Sequence, residues 1–196
     1  MKICFASQNI NKTKEVNQLL GDQFDILNLH DLNYLEDIPE TESTLEGNSK
    51  LKARFSFDKF GLPSFADDSG LEVEALDGAP GVYSARYAGG ERSDLANMQK
   101  LLKNLAGETS RAAQFKTVIT LTWKNGEEQF TGIVKGKIIS EMRGKDGFGY
   151  DPIFVPDGYD CTFAEMSREE KNKISHRAIA VKKLVDFLKQ NEIDKA

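Results

Sequence analysis

The sequence predicts an α/β fold. Short apolar stretches alternate with segments whose apolar residues recur at helical spacing, a pattern typical of strands and helices that share a core. Two longer alternating segments, Arg111–Trp123 and Phe130–Ile139, flank Asn125-Gly126 and predict a β-hairpin with a type I′ turn. The length of 196 residues favours one domain, with room for two lobes around a cleft.

The chain begins with a predicted strand, a polar loop and a helix. Apolar residues predict a buried strand at Ile3–Ala6, and Lys12–Leu20 has the spacing of a helix that Asn9 or Asn11 caps. The first backbone N–H groups of a helix lack partners within it and favour an anion, and Lys12 adds a positive charge there. The loop and Lys12 are therefore candidates for an anion site.

The next segments are an apolar stretch, a loop and a helix. The apolar stretch covers residues 22–29, and an acidic loop follows at residues 31–42. Thr44 is the expected N-cap of a helix that continues to about Phe60 and ends at Gly61.

Two adjacent acids follow an apolar stretch in the middle of the chain. Phe65 and Ala66 predict the buried end of a strand, Asp67–Gly70 has the composition of a turn, and Leu71–Leu76 alternates as a further strand. Neighbouring carboxylates repel each other, and a hard divalent cation with oxygen ligands relieves that repulsion. The alternative is an Asx turn with a capping acid, which is ordinary for Asp-Ser-Gly. These residues alone leave the metal site and the simple turn equally open.

The remaining helices are predicted mainly by their caps. Ser93 caps an amphipathic helix that Gly107 ends. The apolar stripe expected on this helix consists of Leu95, Met98, Leu102 and Leu105. A short strand at Ile153–Val155, a capping box at Ser167–Glu170 that opens a short helix, and a final helix preceded by Ser175 complete the chain.

Composition and charge exclude several classes of protein. The net charge of −5 is unlike the broad basic face of a nucleic-acid binder, and no apolar run is long enough to span a bilayer. The N-terminal segment predicts a strand rather than a signal peptide. Cys4 and Cys161 offer neither a disulfide framework nor Cys/His spacing for zinc, so a reducing, cytoplasmic setting is expected.

Four further polar clusters lie at the ends of predicted elements. They are Ser7–Lys12, Glu40 with Asn48 and Lys52, Phe148–Asp151, and Lys171 through His176-Arg177. Taken singly, the lysines are expected to be solvated, Glu40 to belong to the acidic loop, and His176 to start a helix. Phe148, which lies between two glycines, is either an incidental loop aromatic or a face on which a base stacks. His30 is expected to be structural.

Five sequence blocks extend from one end of the chain to the other. They are SQNINKTKE at Ser7–Glu15, GNSKLKA at Gly47–Ala53, ADDSGLEVEALDGAPGVYSARYAG at Ala66–Gly89, DGFGYDPIF at Asp146–Phe154 and KISHRAIA at Lys173–Ala180. Taken in order, they closely resemble the inosine triphosphate pyrophosphatase family, the house-cleaning hydrolases that remove dITP, ITP and XTP from the nucleotide pool. The third block is long and highly specific, whereas the first two are weak alone. Gln8 stands where many relatives carry a smaller residue, which bears on the shape of the phosphate loop.

The resemblance implies a mixed, twisted sheet with flanking helices and two lobes around a central cleft, as a single nucleotide pyrophosphatase domain over residues 1–196. It also implies magnesium dependence, a homodimer, and hydrolysis of the triphosphate to the nucleoside monophosphate and pyrophosphate. No nucleic-acid polymer or membrane is expected as a partner.

The resemblance also assigns site residues. Glu40, Asp67 and Asp68 would hold magnesium and the attacking water, with Asp68 as the general base and Asp67 mainly as a ligand. The implied substrate contacts are Ser7, Gln8, Asn9, Ile10, Asn11, Lys12 and Lys52 at the triphosphate, Ser69 beside Asp68, and Phe148, Gly149, Tyr150, Asp151, Lys171, His176 and Arg177 at the base.

The hydrogen-bond donors and acceptors of the implied base pocket predict which base the protein selects. Arg177 carries only donors, so it can bond the 6-oxo group of hypoxanthine or xanthine but can accept nothing from the 6-amino group of adenine. Asp151, an acceptor, would suit the N1–H of a 6-oxo purine. For an analogue that cannot form such bonds, a site built on them can lower kcat/KM by roughly four orders of magnitude. The exclusion of guanine must depend on the contacts that the pocket makes with the 2-position of the base.

Two alternatives stay open. One is a Maf-type pyrophosphatase of pyrimidine or modified nucleotides, against which the FGYDP and SHR blocks stand. The other is a non-catalytic nucleotide sensor, which would have no use for the acids and lysines that the chemistry needs.

Overall fold

The computed structural model describes residues 2–20, 24–90, 92–191 and 193. The strands assigned in this part of the chain are β1 Lys2–Phe5, β2 Asp25–Asn28, β3 Ser64–Val73, β4 Ala112–Trp123, β5 Gly126–Ile138 and β6 Phe154–Pro156. The α-helices assigned there are α1 Ile10–Leu20, α2 Leu45–Phe60, α3 Asp94–Asn104, α4 Arg168–Ile174 and α5 His176–Gln190. Short 3-10 helices lie at Glu74–Leu76, Gly81–Arg86 and Asp151–Ile153.

The strands form a mixed sheet in the order β2-β1-β3-β4-β5-β6. β1 pairs in parallel with β2 and with β3, whereas β6 pairs antiparallel with β5. Each parallel pair is connected through a helix, α1 or α2, because parallel neighbours need a crossover. The predicted α/β class, with a mixed sheet and flanking helices, is confirmed. The cleft between two lobes stays a prediction.

The chain divides into two compact units, each with its own core. The first comprises Met1–Asp68, Thr117–Gly132 and Arg177–Ala196, and the second comprises Ser69–Lys116 and Ile133–His176. In the first unit, the rings of Phe5 and Phe65 stack with centroids 4.8 Å apart. Around them lie buried apolar residues of α1, β4 and α5, including Val16, Leu20, Ile119, Leu121, Val181 and Leu184.

The core of the second unit is rich in aromatic rings. The ring of Phe115 packs edge-on against Phe154 with centroids 4.7 Å apart, and Phe163 packs against both. Buried side chains of β3 and α3, including Leu71, Val73, Leu101 and Leu105, complete this core.

The predicted turn at Asp67–Gly70 is wrong, because these residues lie inside β3. The strand continues to Val73, and the rest of the strand predicted to Leu76 is a 3-10 helix. Turn propensity is overridden here by contacts distant in sequence. Asp67 and Asp68 are buried beside cations, and a Cβ at Gly70 would come within 2.4 Å of the carbonyl oxygen of Gly81. Only a glycine permits that close backbone approach.

The predicted hairpin is confirmed, but its predicted turn type is wrong. β5 begins at Gly126, so the two connecting residues are Lys124 and Asn125. Neither Asn125 nor Gly126 has the positive φ that a type I′ turn with those central residues requires. A Cβ at Gly126 would lie 2.6 Å from the ring of Trp123, so close packing explains this glycine better than backbone conformation does.

One residue of the apolar stripe predicted for α3, Leu95, is exposed rather than buried. Leu95 is 54% exposed in the first turn, whereas Met98, Leu101 and Leu105 are buried. The buried face therefore begins one turn later than expected. For the apolar stretch at residues 22–29, the described part forms β2, and residues 22 and 23 lie outside the described residues.

The predicted helix caps are largely confirmed. Thr44 caps α2 and Gly61 ends it in the left-handed conformation, while Ser93 caps α3. The capping box formed by Ser167 and Glu170 opens α4. Ser175 as a cap of α5 stays a prediction.

We expect Thr44→Ala to lower the free energy of unfolding by about 1 kcal/mol. The Oγ1 of Thr44 accepts the N–H of Gly47 at 3.0 Å, and alanine removes that acceptor. Urea denaturation followed by circular dichroism measures the change. The neighbouring exposed Ser43→Ala is the matched control and should change the free energy by less than about 0.5 kcal/mol. Equal losses in both variants would contradict the capping role.

Candidate active site

The polar loop between β1 and α1 is organised by its own side chains. Asn9 Oδ1 accepts the N–H groups of Asn11 (3.0 Å) and Lys12 (3.2 Å), which confirms Asn9 as the cap. Those two N–H groups, predicted to await an anion, therefore already have an acceptor in this structure. Ser7 Oγ accepts the N–H of Asn9 at 3.2 Å, and Gln8 Nε2 donates to the carbonyl of Glu36. Ile10 is exposed.

Asp67 lies at the centre of a buried group of charges. Its Oδ2 is 3.1 Å from Lys12 Nζ and 3.3 Å from Arg177 Nε. Arg177 also forms an ion pair with Glu15 through Nη1 and Oε2. β3, α1 and α5 thus bring together residues that are far apart in sequence, all within the first unit.

Asp68 faces a different cation, Lys52 of α2. Lys52 Nζ lies 2.6 Å from Glu40 Oε1, 3.8 Å from Asp68 Oδ1 and 2.9 Å from the backbone oxygen of Asp67. Successive side chains of a strand point to opposite faces, which explains why the two aspartates have different neighbours. The neighbouring acids therefore have distinct environments.

These environments move the two carboxyl pKa values in opposite directions. Burial alone would raise the pKa of Asp67, but Lys12, Arg177 and Lys52 hold it well below its usual range. Burial raises the pKa of Asp68, and the nearby lysines only partly offset that effect. Asp67 is thus a fixed negative charge, whereas Asp68 accepts a proton more readily.

The two lysines also differ. Burial lowers the pKa of Lys12. For Lys52, burial would lower the pKa, but the carboxylates of Asp68, Glu40 and Asp67 together raise it. Lys52 is therefore held in its charged form between two acids.

The predicted set of three metal ligands is not assembled in this structure. Among the residues described, no three His, Cys, Asp or Glu side chains converge as a metal cage. Asp67 turns towards Lys12 and Arg177, while Glu40 and Asp68 share the region around Lys52. Two hard carboxylates fit magnesium, which is commonly held by one or two protein carboxylates together with substrate phosphates.

A second cluster, in the second unit, contains the base-pocket candidates. Asp151 Oδ2 accepts from Lys171 Nζ at 2.7 Å and from the N–H of Phe148 at 2.9 Å. Lys171 Nζ lies 5.0 Å from the ring centroid of Phe148 and 5.6 Å from that of Phe163. Asp151 and Lys171 are both buried, so their ion pair holds the loop Phe148–Asp151 in place.

The remaining candidates of the second unit are His176, Tyr150, Gly149 and Ser69. His176 stacks on Phe115 with centroids 4.8 Å apart. Tyr150 is buried, and its hydroxyl donates to the carbonyl of Ser84 at 2.8 Å. Ser69 lies in β3 and is half-buried.

Arg177 forms ion pairs with acids of the first unit. Its guanidinium bonds Asp67 and Glu15, and the residue is 1% exposed, while its contact with the base stays a prediction. Burial would lower the pKa of Arg177, but Asp67 and Glu15 raise it, so this contact keeps the guanidinium charged. Glu15 was not among the predicted site residues. Its spacing of three residues from Lys12 on one helix face was the available signal.

No helix in the described residues is long and apolar enough to cross a membrane. Cys4, which is buried, and Cys161, which is half-buried, are both free thiols in this structure.

Known proteins resemble this chain over nearly its whole length. The model of the Ham1 family matches residues 3–187. A protein of Flavobacterium psychrophilum named dITP/XTP pyrophosphatase is 54% identical over 189 residues, covering 96% of this chain and all (100%) of that protein. A protein of the same name from Porphyromonas gingivalis is 52% identical, covering 95% of this chain and 97% of the relative.

Solved structures agree with these sequence matches. The Ham1 protein of Staphylococcus aureus superposes with a TM-score of 0.90 at 41% identity, covering 98% of this chain and 100% of that one. A nucleoside-triphosphatase, dITP/XTP pyrophosphatase, of Mycobacterium abscessus gives a TM-score of 0.78 at 41% identity, covering 94% of this chain and 99% of that one. The resemblance inferred from the five sequence blocks is confirmed, and the chain belongs to the Ham1 family.

Proposed function

We propose that this protein hydrolyses non-canonical purine nucleoside triphosphates, namely dITP, ITP and XTP, to the monophosphate and pyrophosphate. The observation that carries the proposal is the cluster in which Lys12 and Lys52 meet the buried Asp67 and Asp68 and the more exposed Glu40. Relatives that are about half identical to this chain carry the name dITP/XTP pyrophosphatase, which supports the choice of substrate.

Lys12 and Lys52 supply positive charge for the triphosphate. A substrate with close to four negative charges needs neutralisation before water can attack, and the protein contributes mainly position and charge. The side chains of Lys12 and Lys52 are 15% and 10% exposed, and Coulomb interactions in such surroundings are stronger than in bulk water. The loop from Ser7 to Asn11 is proposed to lie along the phosphates, with Ser69 as a further contact.

Asp68 is proposed as the general base. It accepts a proton from the water that attacks the α-phosphorus, the bond from that phosphorus to the bridging oxygen breaks, and pyrophosphate leaves. The raised pKa of Asp68 suits proton acceptance better than the depressed pKa of Asp67 does. Asp67, held by Lys12 and Arg177, is proposed to keep those two cations charged and in place.

Magnesium would be held by Glu40 and Asp68, together with the substrate phosphates, and Asp67 would contribute its charge from the other side of β3. When bound, the ion would neutralise phosphate charge and acidify the attacking water. The hard oxygen donors of the two carboxylates support this choice of metal.

The base is proposed to stack on Phe148. Lys171, whose Nζ is 5.0 Å from that ring, carries only donors and can serve a 6-oxo group but not a 6-amino group. Arg177 stays the proposed donor to the 6-oxo group, and the same donor argument applies to Lys171. Asp151 holds Lys171, while His176, Gly149 and Tyr150 complete the proposed pocket.

A panel of nucleoside triphosphates tests the proposal. Purified protein with magnesium is incubated with ITP, XTP, ATP, GTP and a pyrimidine triphosphate, and pyrophosphate and orthophosphate are measured separately. We expect pyrophosphate from ITP and XTP, with kcat/KM for ATP lower by roughly three to four orders of magnitude. Equal rates on ATP and ITP would refute the argument for base choice. Preference for the pyrimidine would favour the Maf-type alternative, and binding without product would favour a sensor.

The setting and the assembly are part of the proposal. Two cysteines outside any disulfide support a reducing, cytoplasmic compartment. The homodimer rests on the family resemblance alone, and sedimentation equilibrium tests it.

A further inference from the structure

The loop that carries Phe148 is held on both sides of Gly149. Before it, the N–H of Phe148 donates to Asp151 Oδ2 at 2.9 Å. After it, the buried hydroxyl of Tyr150 donates to the carbonyl of Ser84 at 2.8 Å. These two contacts fix the flanking residues but leave the peptide between them to be held from elsewhere.

Asp94 holds that peptide from outside the loop. The N–H of Gly149 donates to Asp94 Oδ2 at 2.7 Å, a short bond to a carboxylate. Asp94 is the first residue of α3, whose N-cap Ser93 accepts the N–H of Ala96. The acceptor for Gly149 thus stands on the first turn of a capped helix, 55 residues away in sequence.

Gly149 is a place where such a restraint matters. Its φ of +64° lies in the left-handed region, and a glycine there has many other conformations open to it. The bond to Asp94 therefore restrains the residue of this loop whose backbone has the most conformations open to it.

We propose that Asp94 is a positioning residue for nucleotide binding, which holds Gly149 so that the ring of Phe148 is presented to the base. The role of Phe148 rests on the proposed function, whereas the restraint on Gly149 does not. Because Asp94 lies in the second unit, outside the cluster of Asp68 and Lys52, its loss should weaken substrate binding and leave the chemical step unchanged.

Hydrogen exchange tests the restraint without any nucleotide. In Asp94→Ala, we expect the amide of Gly149 to exchange on the order of ten-fold faster than in the wild type, as resolved by NMR. Asp94→Asn keeps an oxygen acceptor and should restore most of the protection. Ser93→Ala weakens the start of the same helix but keeps the acceptor, so it should leave Gly149 protected. Unchanged exchange in Asp94→Ala would overturn the restraint.

Steady-state kinetics test the consequence. For ITP, Asp94→Ala is expected to raise KM by roughly five-fold with kcat within about two-fold of wild type, whereas Asp94→Asn and Ser93→Ala stay near wild type. Faster exchange with an unchanged KM would overturn the link to nucleotide binding. Failure of the wild type to hydrolyse any triphosphate would overturn the proposed function and the link between Asp94 and nucleotide binding. The exchange result would still show whether Asp94 restrains Gly149.

Discussion

Asp68→Asn is expected to lower kcat for ITP by about three orders of magnitude or more, the range that general-base catalysis supplies. Asparagine has nearly the same shape but cannot take a proton from water at neutral pH. The raised pKa of Asp68, caused by its burial, makes this carboxylate the better proton acceptor of the adjacent pair. The loss should therefore be in turnover.

Binding separates this effect from damage to the site. Isothermal titration calorimetry with ITP, without magnesium so that neither protein turns the nucleotide over, should give a dissociation constant within about five-fold of wild type, since Lys12 and Lys52 remain in place. Asp58→Asn, at an exposed position of α2, is the matched control and should keep full activity. Turnover near the wild-type rate in Asp68→Asn would exclude Asp68 as the base.

The elements that short sequence patterns determine were predicted well. Thr44 with Gly61 bounded α2, and Ser167 with Glu170 opened α4, because a cap is decided by residues within one turn of it. The hairpin was also found, since its alternation extends over more than twenty residues, from Arg111 to Ile139.

The strand through Asp67 and Asp68 was missed for the opposite reason. Asp-Ser-Gly is turn chemistry locally, and only Lys12, Lys52 and Arg177 make a strand with two buried acids stable. Those partners come from three separate helices. No window around Asp67 contains the information that decides its conformation.

The same limit applies within the candidate site. The acids and lysines of the cluster were named from sequence blocks, yet their pairing was not. Arg177 pairs with Glu15 in the first unit, which no sequence block indicated, while the adjacent His176 stacks on Phe115 in the second. Partner choice among buried charges depends on distances that only the fold defines.

Asp67→Asn is expected to have the largest effect on stability, a loss of about 3–5 kcal/mol in the free energy of unfolding at pH 7. The substitution removes the carboxylate that faces both Lys12 and Arg177, and although Arg177 keeps Glu15, a cation of low exposure that loses its carboxylate is costly. Asp68→Asn, the matched change one residue away, should leave stability unchanged or slightly raised, since burial already disfavours the charge of Asp68.

The pH dependence of that loss identifies its cause. Because the folded pKa of Asp67 is depressed, its stabilisation is present above the unfolded pKa, about 3.9, and disappears as pH falls through the folded value. Urea denaturation of both proteins should therefore show a large difference at pH 7 that shrinks steadily below about pH 4. A difference that stays constant through acid would mean that asparagine disturbs packing rather than charge. A loss in Asp68→Asn as large as in Asp67→Asn would contradict the distinct environments of the two acids.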